Sequence, residues 1–199
     1  MKRNLVITIT LLFTLTSSLW AAKLRVNGDN SWVAFINGEK VAEGNNWQVA
    51  TVSEFNMSKG FAVIAIYVHD AEPGAAGRGG ALADVILDDG TYFGSDKTWK
   101  ANAGVPIDQR KDGWEQIDFD DSKWENATQL DQFGGGIWGF GAAEMRKILN
   151  NPDSTAYWVW AGPNDVADDI YLRFTIGSPT AVKPAGKLAT TWGKLKSGF

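Results

Sequence analysis

One dipeptide constrains the fold of this chain more than any other feature. Asn37-Gly38 sits between Trp32-Val33-Ala34-Phe35-Ile36 and Glu39-Lys40-Val41-Ala42. A two-residue type I′ turn needs positive φ at both central residues, which Asn and Gly adopt most readily, so the pair predicts an antiparallel hairpin. Val26 to Asn30 reads as the lead-in, and Gly44-Asn45-Asn46-Trp47 as a polar loop carrying an aromatic. Phe61 to Val68 is continuously apolar and partly β-branched, which suits a central strand. Ala81 to Leu87 is a further strand, turned by Asp88-Asp89-Gly90 and returned by Thr91 to Gly94. Ile170, Leu172, Phe174 and Ile176 alternate with Tyr171, Arg173 and Thr175, the pattern of a half-buried strand. The one helical stretch is Ala142 to Leu149, with Met145, Ile148 and Leu149 on one face and Asn150-Asn151-Pro152 as its stop. Strands dominate, so the expected class is all-β, a two-sheet antiparallel sandwich with one short helix.

Residues 1–22 have the form of a secretory signal peptide. Lys2 and Arg3 precede the short apolar core Leu5 to Leu15, and Ala21-Ala22 closes the segment with small residues. That core is shorter than the roughly 20 residues a membrane span needs, so no membrane insertion is expected once the leader is cleaved. The chain contains no Cys, which excludes both disulfides and a lipidated cysteine. Losing two basic residues with the leader takes the formal net charge from −4 to about −6. With no basic stripe, such a domain is not expected to bind nucleic acid. The expected organisation is a leader at 1–22, one domain at 23–177 and a flexible C-terminal tail at 178–199. The tail is basic, broken by Ser178-Pro179 and Lys183-Pro184, and carries Leu188, Trp192 and Leu195. It is either a docking element for a protein partner or an unstructured end.

Four segments together carry a family resemblance. They are Val26-Asn27-Gly28-Asp29-Asn30 through Asn37-Gly38 to Trp47; Ala62 to Tyr67 with Ala81 to Val85; Ser95 to Lys100 with Gly113-Trp114 and Asp118 to Trp124; and Tyr157 to Trp160 with Ile170 to Phe174. In order and spacing, over about residues 24–177, they resemble the galactose-binding-domain-like jelly rolls. The likeness is to the non-catalytic β-sandwich modules attached to bacterial α-L-rhamnosidases and related glycoside hydrolases. The resemblance implies a jelly-roll β-sandwich that binds a glycan and is not an enzyme. Two departures stand out: no catalytic barrel follows, and the first strand is short, which would leave a sheet edge incomplete.

Sugar rings stack their C–H faces on flat aromatics and need polar partners for their hydroxyls. Trp47 and Trp138 lie in Asn- or Gly-rich loops and are the expected stacking platforms, with Asn45, Asn46, Asp70 and Arg78 as hydrogen-bonding partners. Trp99 and Trp124 are expected in the core. Trp158 and Trp160 share a face if their stretch is a strand. Asp118, Asp120 and Asp121 offer paired carboxylates, but Asp-Asp-Ser before Lys-Trp is good turn chemistry. His69 is the only histidine, no Gly-x-Ser-x-Gly elbow is present, and zinc would need more ligands than the chain has. No catalytic residues, metal ligands or cofactor are therefore assigned, although oxygen-rich clusters are compatible with calcium. The expected partner is a glycan or polysaccharide. The expected location is secreted, periplasmic or cell-surface. The alternative is a structural or protein-interaction domain of an exported assembly, with a glycosidase a distant third.

Overall fold

The computed structural model describes residues 19–58, 60–72, 78–133, 135, 137–148 and 154–178. The expected leader up to residue 18, residues 73–77 of the Gly-rich loop, residues 149–153 and nearly all of the tail lie outside them.

Two antiparallel sheets face each other. The first runs in the order β10 (Thr128–Gln132), β11 (Tyr157–Trp160), β6 (Gly80–Leu87), β1 (Leu19–Asp29), β4 (Thr51–Ser58), with β7 (Tyr92–Gly94) pairing on β6. The second runs β3 (Glu39–Gly44), β2 (Ser31–Ile36), β5 (Ala62–His69), β12 (Asp169–Ile176), β8 (Lys100–Ala103), β9 (Glu125–Asn126). A short helix, α1 (Ala142–Ile148), lies in the long β10–β11 connection, and its Met145 is buried. The molecule is the β-sandwich that the strand signals predict. Asn37 and Gly38 both take positive φ, 54° and 86°, and join β2 to β3. Gly90, at φ 84°, turns β6 into β7.

The shared core is built by alternation. Leu24 and Val26 of β1 with Ala81, Ala83 and Val85 of β6 meet Ile64, Ile66 and Val68 of β5 and Ile170 and Leu172 of β12. Trp99 is fully buried there, stacked on Phe174 with ring centroids 5.0 Å apart. Each fully buried Ile, Leu or Val contributes roughly 1.5–3 kcal/mol.

Three expectations need correcting. First, β1 is neither short nor an incomplete edge. It spans 11 residues and is paired on both sides, to β4 and to β6. It begins at Leu19, upstream of the Ala22 boundary expected for a leader. Second, β12 is buried on both faces: Tyr171 and Arg173 point away from the core yet are almost fully covered. The reason is a layer contributed by the β8–β9 connection, in which Trp114, Phe119 and Trp124 pack over Ala65, Tyr67 and Tyr171. Third, Trp158 and Trp160 are both fully buried but join different clusters. Trp160 packs with the inner core, Trp158 with Leu82, Phe133, Met145 and Ala156 on the outer side of the first sheet.

Candidate functional site

Strand register brings several loops to one end of the sandwich. Asp29 faces Gly80 across β1 and β6, Ser31 faces His69 across β2 and β5, and His69 faces Asp169 across β5 and β12. Loop-to-loop bonds tie the connections together. Asp70 N donates to Asp168 O at 2.8 Å, and Gly79 N to Asn164 O at 2.9 Å. The β1–β2 corner, the β3–β4 loop, the β5–β6 loop and the β11–β12 loop therefore converge. All six sequence-predicted site residues sit at this end, although they do not form one surface.

Trp47 and Trp138 are brought together, but not as free platforms. Both are half-buried and packed on each other, centroids 5.2 Å apart and planes at 53°. Trp47 also meets Phe140, and Trp138 stands edge-on to Trp158 at 4.8 Å. Trp138 Nε1 donates to Arg78 O. The Trp138 backbone lies in the left-handed region, φ 54° and ψ 16°, where a bulky non-glycine residue is strained by roughly 1–3 kcal/mol. Gly80 makes room for the ring, since a Cβ there would lie 2.9 Å from Trp138 and 3.1 Å from Trp158. One exposed side of Trp138 borders a depression of about 440 Å³ with Arg78, Leu130, Asp131, Asn164 and Asp165. Asn164 is held there by its Nδ2, which donates to Gly79 O at 3.0 Å. Trp47 instead lines a smaller hollow with Gln48, Phe140, Glu144 and Lys147.

The other predicted residues divide. Asn46 is exposed, and its Oδ1 accepts from Gln48 N at 3.0 Å, a turn-stabilising bond. Asn45 is exposed and borders a different groove, on the outer side of the second sheet. Asp70 is buried, not presented to solvent, and its Oδ1 accepts from Glu72 N at 3.0 Å.

Asp70 belongs to a polar corner that the sequence reading passed over. Asn27 and Asp29, on the outward face of β1, are buried despite being polar. Asn27 Nδ2 donates to Trp47 O, but among the described residues Asn27 Oδ1 has no partner, nor has Asp29 Oδ1. Burial first, then the charges of Asp70 and Glu72, push the Asp29 carboxyl from 3.8 up to about 7. Burial also raises Asp70. The Asn30 side chain accepts from Ala71 N, tying the corner to the β5–β6 loop. The sequence offered only the run Asn27-Gly28-Asp29-Asn30 at a strand end, where alternation with Leu24 and Val26 points Asn27 and Asp29 outward and so gives no sign of burial. Among the described residues no group of three or more His, Cys, Asp or Glu side chains is placed to hold a metal. Two carboxylates with nearby amide and carbonyl oxygens remain, the donor type a hard cation takes.

The groups weighed for catalysis are otherwise engaged. Asp120 Oδ1 accepts from Ser122 N at 3.0 Å, the expected turn, and this bonding with Ser122 lowers its pKa. Asp121 is ion-paired to the buried Arg173 at 2.9 Å. His69 ends β5, and its Nδ1 lies 3.0 Å from Asp169 Oδ1, which also accepts the Tyr67 hydroxyl.

No family model matches the chain. An α-L-rhamnosidase from Streptomyces avermitilis is 27% identical over 133 residues, which cover 63% of this chain and 12% of that enzyme. The crystal structure of S. avermitilis α-L-rhamnosidase complexed with L-rhamnose matches with a TM-score of 0.52 at 26% identity, over 63% of this chain and 12% of that one. A lectin from Pleurotus ostreatus in complex with GalNAc matches with a TM-score of 0.50 at 19% identity, over 62% of this chain and 36% of that one, and shares the fold. The chain thus spans a small part of the enzyme it matches, and its similarity is to a sandwich module within that enzyme.

Proposed function

We propose that this chain is an exported, non-catalytic carbohydrate-binding module of the galactose-binding-like jelly-roll type, with its glycan site at the loop end described above. One observation carries the reading. Among the described residues, five buried side-chain polar atoms lack a hydrogen-bond partner, and three of them lie on the outward side of the first sheet near this end: Asn27 Oδ1, Asp29 Oδ1 and Trp158 Nε1. Each such atom costs about 1–3 kcal/mol, and a folded domain tolerates few without a use for them. Acceptors and donors are both represented, beside a strained Trp138 and the polar Arg78, Asn164 and Asp165. A sugar, with an apolar C–H face and hydroxyls that both give and accept hydrogen bonds, matches that mixture.

The similarity to a rhamnosidase segment supports the same reading. The ligands of the similar structures, L-rhamnose and GalNAc, make a deoxyhexose and an acetamido-hexose the first probes. Asp29, Asn30 and Asp70 are the residues that would hold calcium, which would neutralise the carboxylate pair. The non-catalytic part of the reading is supported by Asp120 being held in a turn and Asp121 in an ion pair with Arg173.

The test is a glycan-array screen of the purified protein with calcium and with chelator, alongside Trp138→Ala and Asp29→Asn. Binding of rhamnose- or GalNAc-bearing glycans by the wild type, reduced at least tenfold in both variants, is the expected result. Silence from a folded sample refutes the reading and moves the assignment to a protein-interaction domain.

A further inference from the structure

A second depression, wider than the one at the loop end, lies on the other sheet. It is a groove of about 640 Å³ along the outward face of β2 and β5. Its floor is Val33, Phe35, Tyr67 and Ile107, and its rim is Lys40, Glu43 and Asn45. We propose that this groove receives the further sugar residues of a neutral oligosaccharide whose terminal residue occupies the loop-end site. The inference rests on the glycan-binding reading and deepens it, because it makes the ligand a chain rather than a single sugar.

Continuity is the first argument. The groove opens at Ser31 and Asn45, two residues along the chain from Asp29 and from Trp47, which packs on Trp138, and it runs down β2 to Phe35. Four strand steps of about 3.3 Å make that path roughly 13 Å long. Its volume falls in the range of sites that take drug-sized ligands, so it holds more than one sugar ring. Beyond Phe35 and Ile107 a second hollow continues past Arg110, Gly113 and Gln116.

Chemistry selects the occupant. The floor is apolar and partly aromatic. Phe35 is braced edge-on against Trp114 at 5.5 Å, and the buried Tyr67, packed on Tyr171 with its hydroxyl donating to Asp169, closes the bottom of the groove. The charges balance, because Lys40 Nζ lies 2.8 Å from Glu43 Oε2. A groove with no excess positive charge favours neutral sugars over uronic acids. At the upper end Trp32 lines the groove against Gly44, where any Cβ would sit 2.7 Å from the indole, and its Nε1 is one of the partnerless donors.

Titration calorimetry of the full chain tests this with four probes: free L-rhamnose, free GalNAc, and a neutral tetrasaccharide ending in each. The wild type is expected to bind the matching tetrasaccharide at least tenfold more tightly than its terminal monosaccharide. Val33→Lys, which fills the floor, should bring that ratio near one while leaving monosaccharide affinity unchanged. The exposed rim double variant Lys40→Ala/Glu43→Ala, which does not touch the core, should lower the ratio at least threefold. Equal affinity for monosaccharide and tetrasaccharide in the wild type, or a ratio untouched by both variants, overturns the groove while leaving the loop-end site intact. Failure of the wild type to bind any of the four overturns both.

Discussion

Asp29→Asn interrogates the loop end most directly, because it removes a charge without changing shape. In the folded domain the Asp29 carboxyl titrates near 7; unfolded, near its ordinary 3.8. Between those values the folded state holds a proton that the unfolded chain has released. The contribution of Asp29 to stability is therefore fully present below about pH 4 and is lost as pH rises through 7. Three pH units at about 1.36 kcal/mol each set a ceiling near 4 kcal/mol. Asp29 ends its strand beside exposed loops, and screening by solvent brings the expected loss to about 2 kcal/mol. The asparagine cannot ionise, so this part of the pH dependence vanishes, while the smaller contribution of Asp70 stays. Differential scanning fluorimetry in chelator from pH 4.5 to 8 should show the wild type losing roughly 4–8 °C more than the variant, at 2–4 °C per kcal/mol for a domain of this size. Calcium added at pH 8 should raise the wild-type Tm and leave the variant unmoved. Parallel Tm curves for the two proteins would refute the argument that burial and the Asp70 charge weigh on Asp29.

Three further changes have defined outcomes. Arg173→Met strands Asp121 and the carbonyls of Trp114 and Gln116, which Arg173 now bonds; urea unfolding should show a loss of about 3–5 kcal/mol, with the 104–124 segment becoming the first site of limited proteolysis. Gly80→Ala pushes against Trp138 and Trp158, so it should cost about 1–3 kcal/mol and change the near-UV circular dichroism of the Trp cluster. Gly38→Ala places a Cβ at φ +86°; its cost of about 1–2 kcal/mol should appear in chemical denaturation as a lower midpoint at unchanged slope.

What the sequence made legible was local. Asn37-Gly38 dictates its own turn, and Phe61 to Val68 needs only its β-branched run to be recognised as β5. Asp120 caps Ser122 N through a bond two residues long. The strands could be read as a sandwich because their alternation is a property of each strand alone. The errors all required knowledge of a distant segment. Alternation in β12 marks one face as apolar, but it cannot say that Trp114 and Trp124 will cover the other. Trp158 and Trp160 are two apart, yet β11 is four residues long and its pairing with β10 shifts register between Gln129 and Gln132, so strict alternation does not hold along it. Asp70 looked like a surface hydrogen-bonding group, because nothing near it in the chain announces that β1 and the β11–β12 loop close over it. Asn27 and Asp29 were hidden for the same reason: a polar residue at a strand end is ordinarily solvated, and only loops from elsewhere in the chain, such as the one whose Trp47 carbonyl Asn27 bonds, bury it.

Both candidate surfaces are therefore completed by segments laid over the sheets, and each overlay is held through a network that includes an arginine. On the first sheet Arg25 Nε lies 2.6 Å from Asp84 Oδ1, and Tyr92 links this pair to the β10–β11 connection through Ser154 at 2.9 Å. On the second, Arg173 binds Asp121 and two backbone carbonyls of the β8–β9 connection. Desolvation offsets much of what such buried pairs gain by attraction, so they are poor sources of net stability. Their directional bonds do something that apolar contacts do less well: they give each overlay one position. The first overlay carries Trp138 to the loop end, and the second carries Ile107 to the groove wall. Substitutions on the exposed parts of either overlay should then alter which glycan binds while the core beneath, and the stability it supplies, stays as it is.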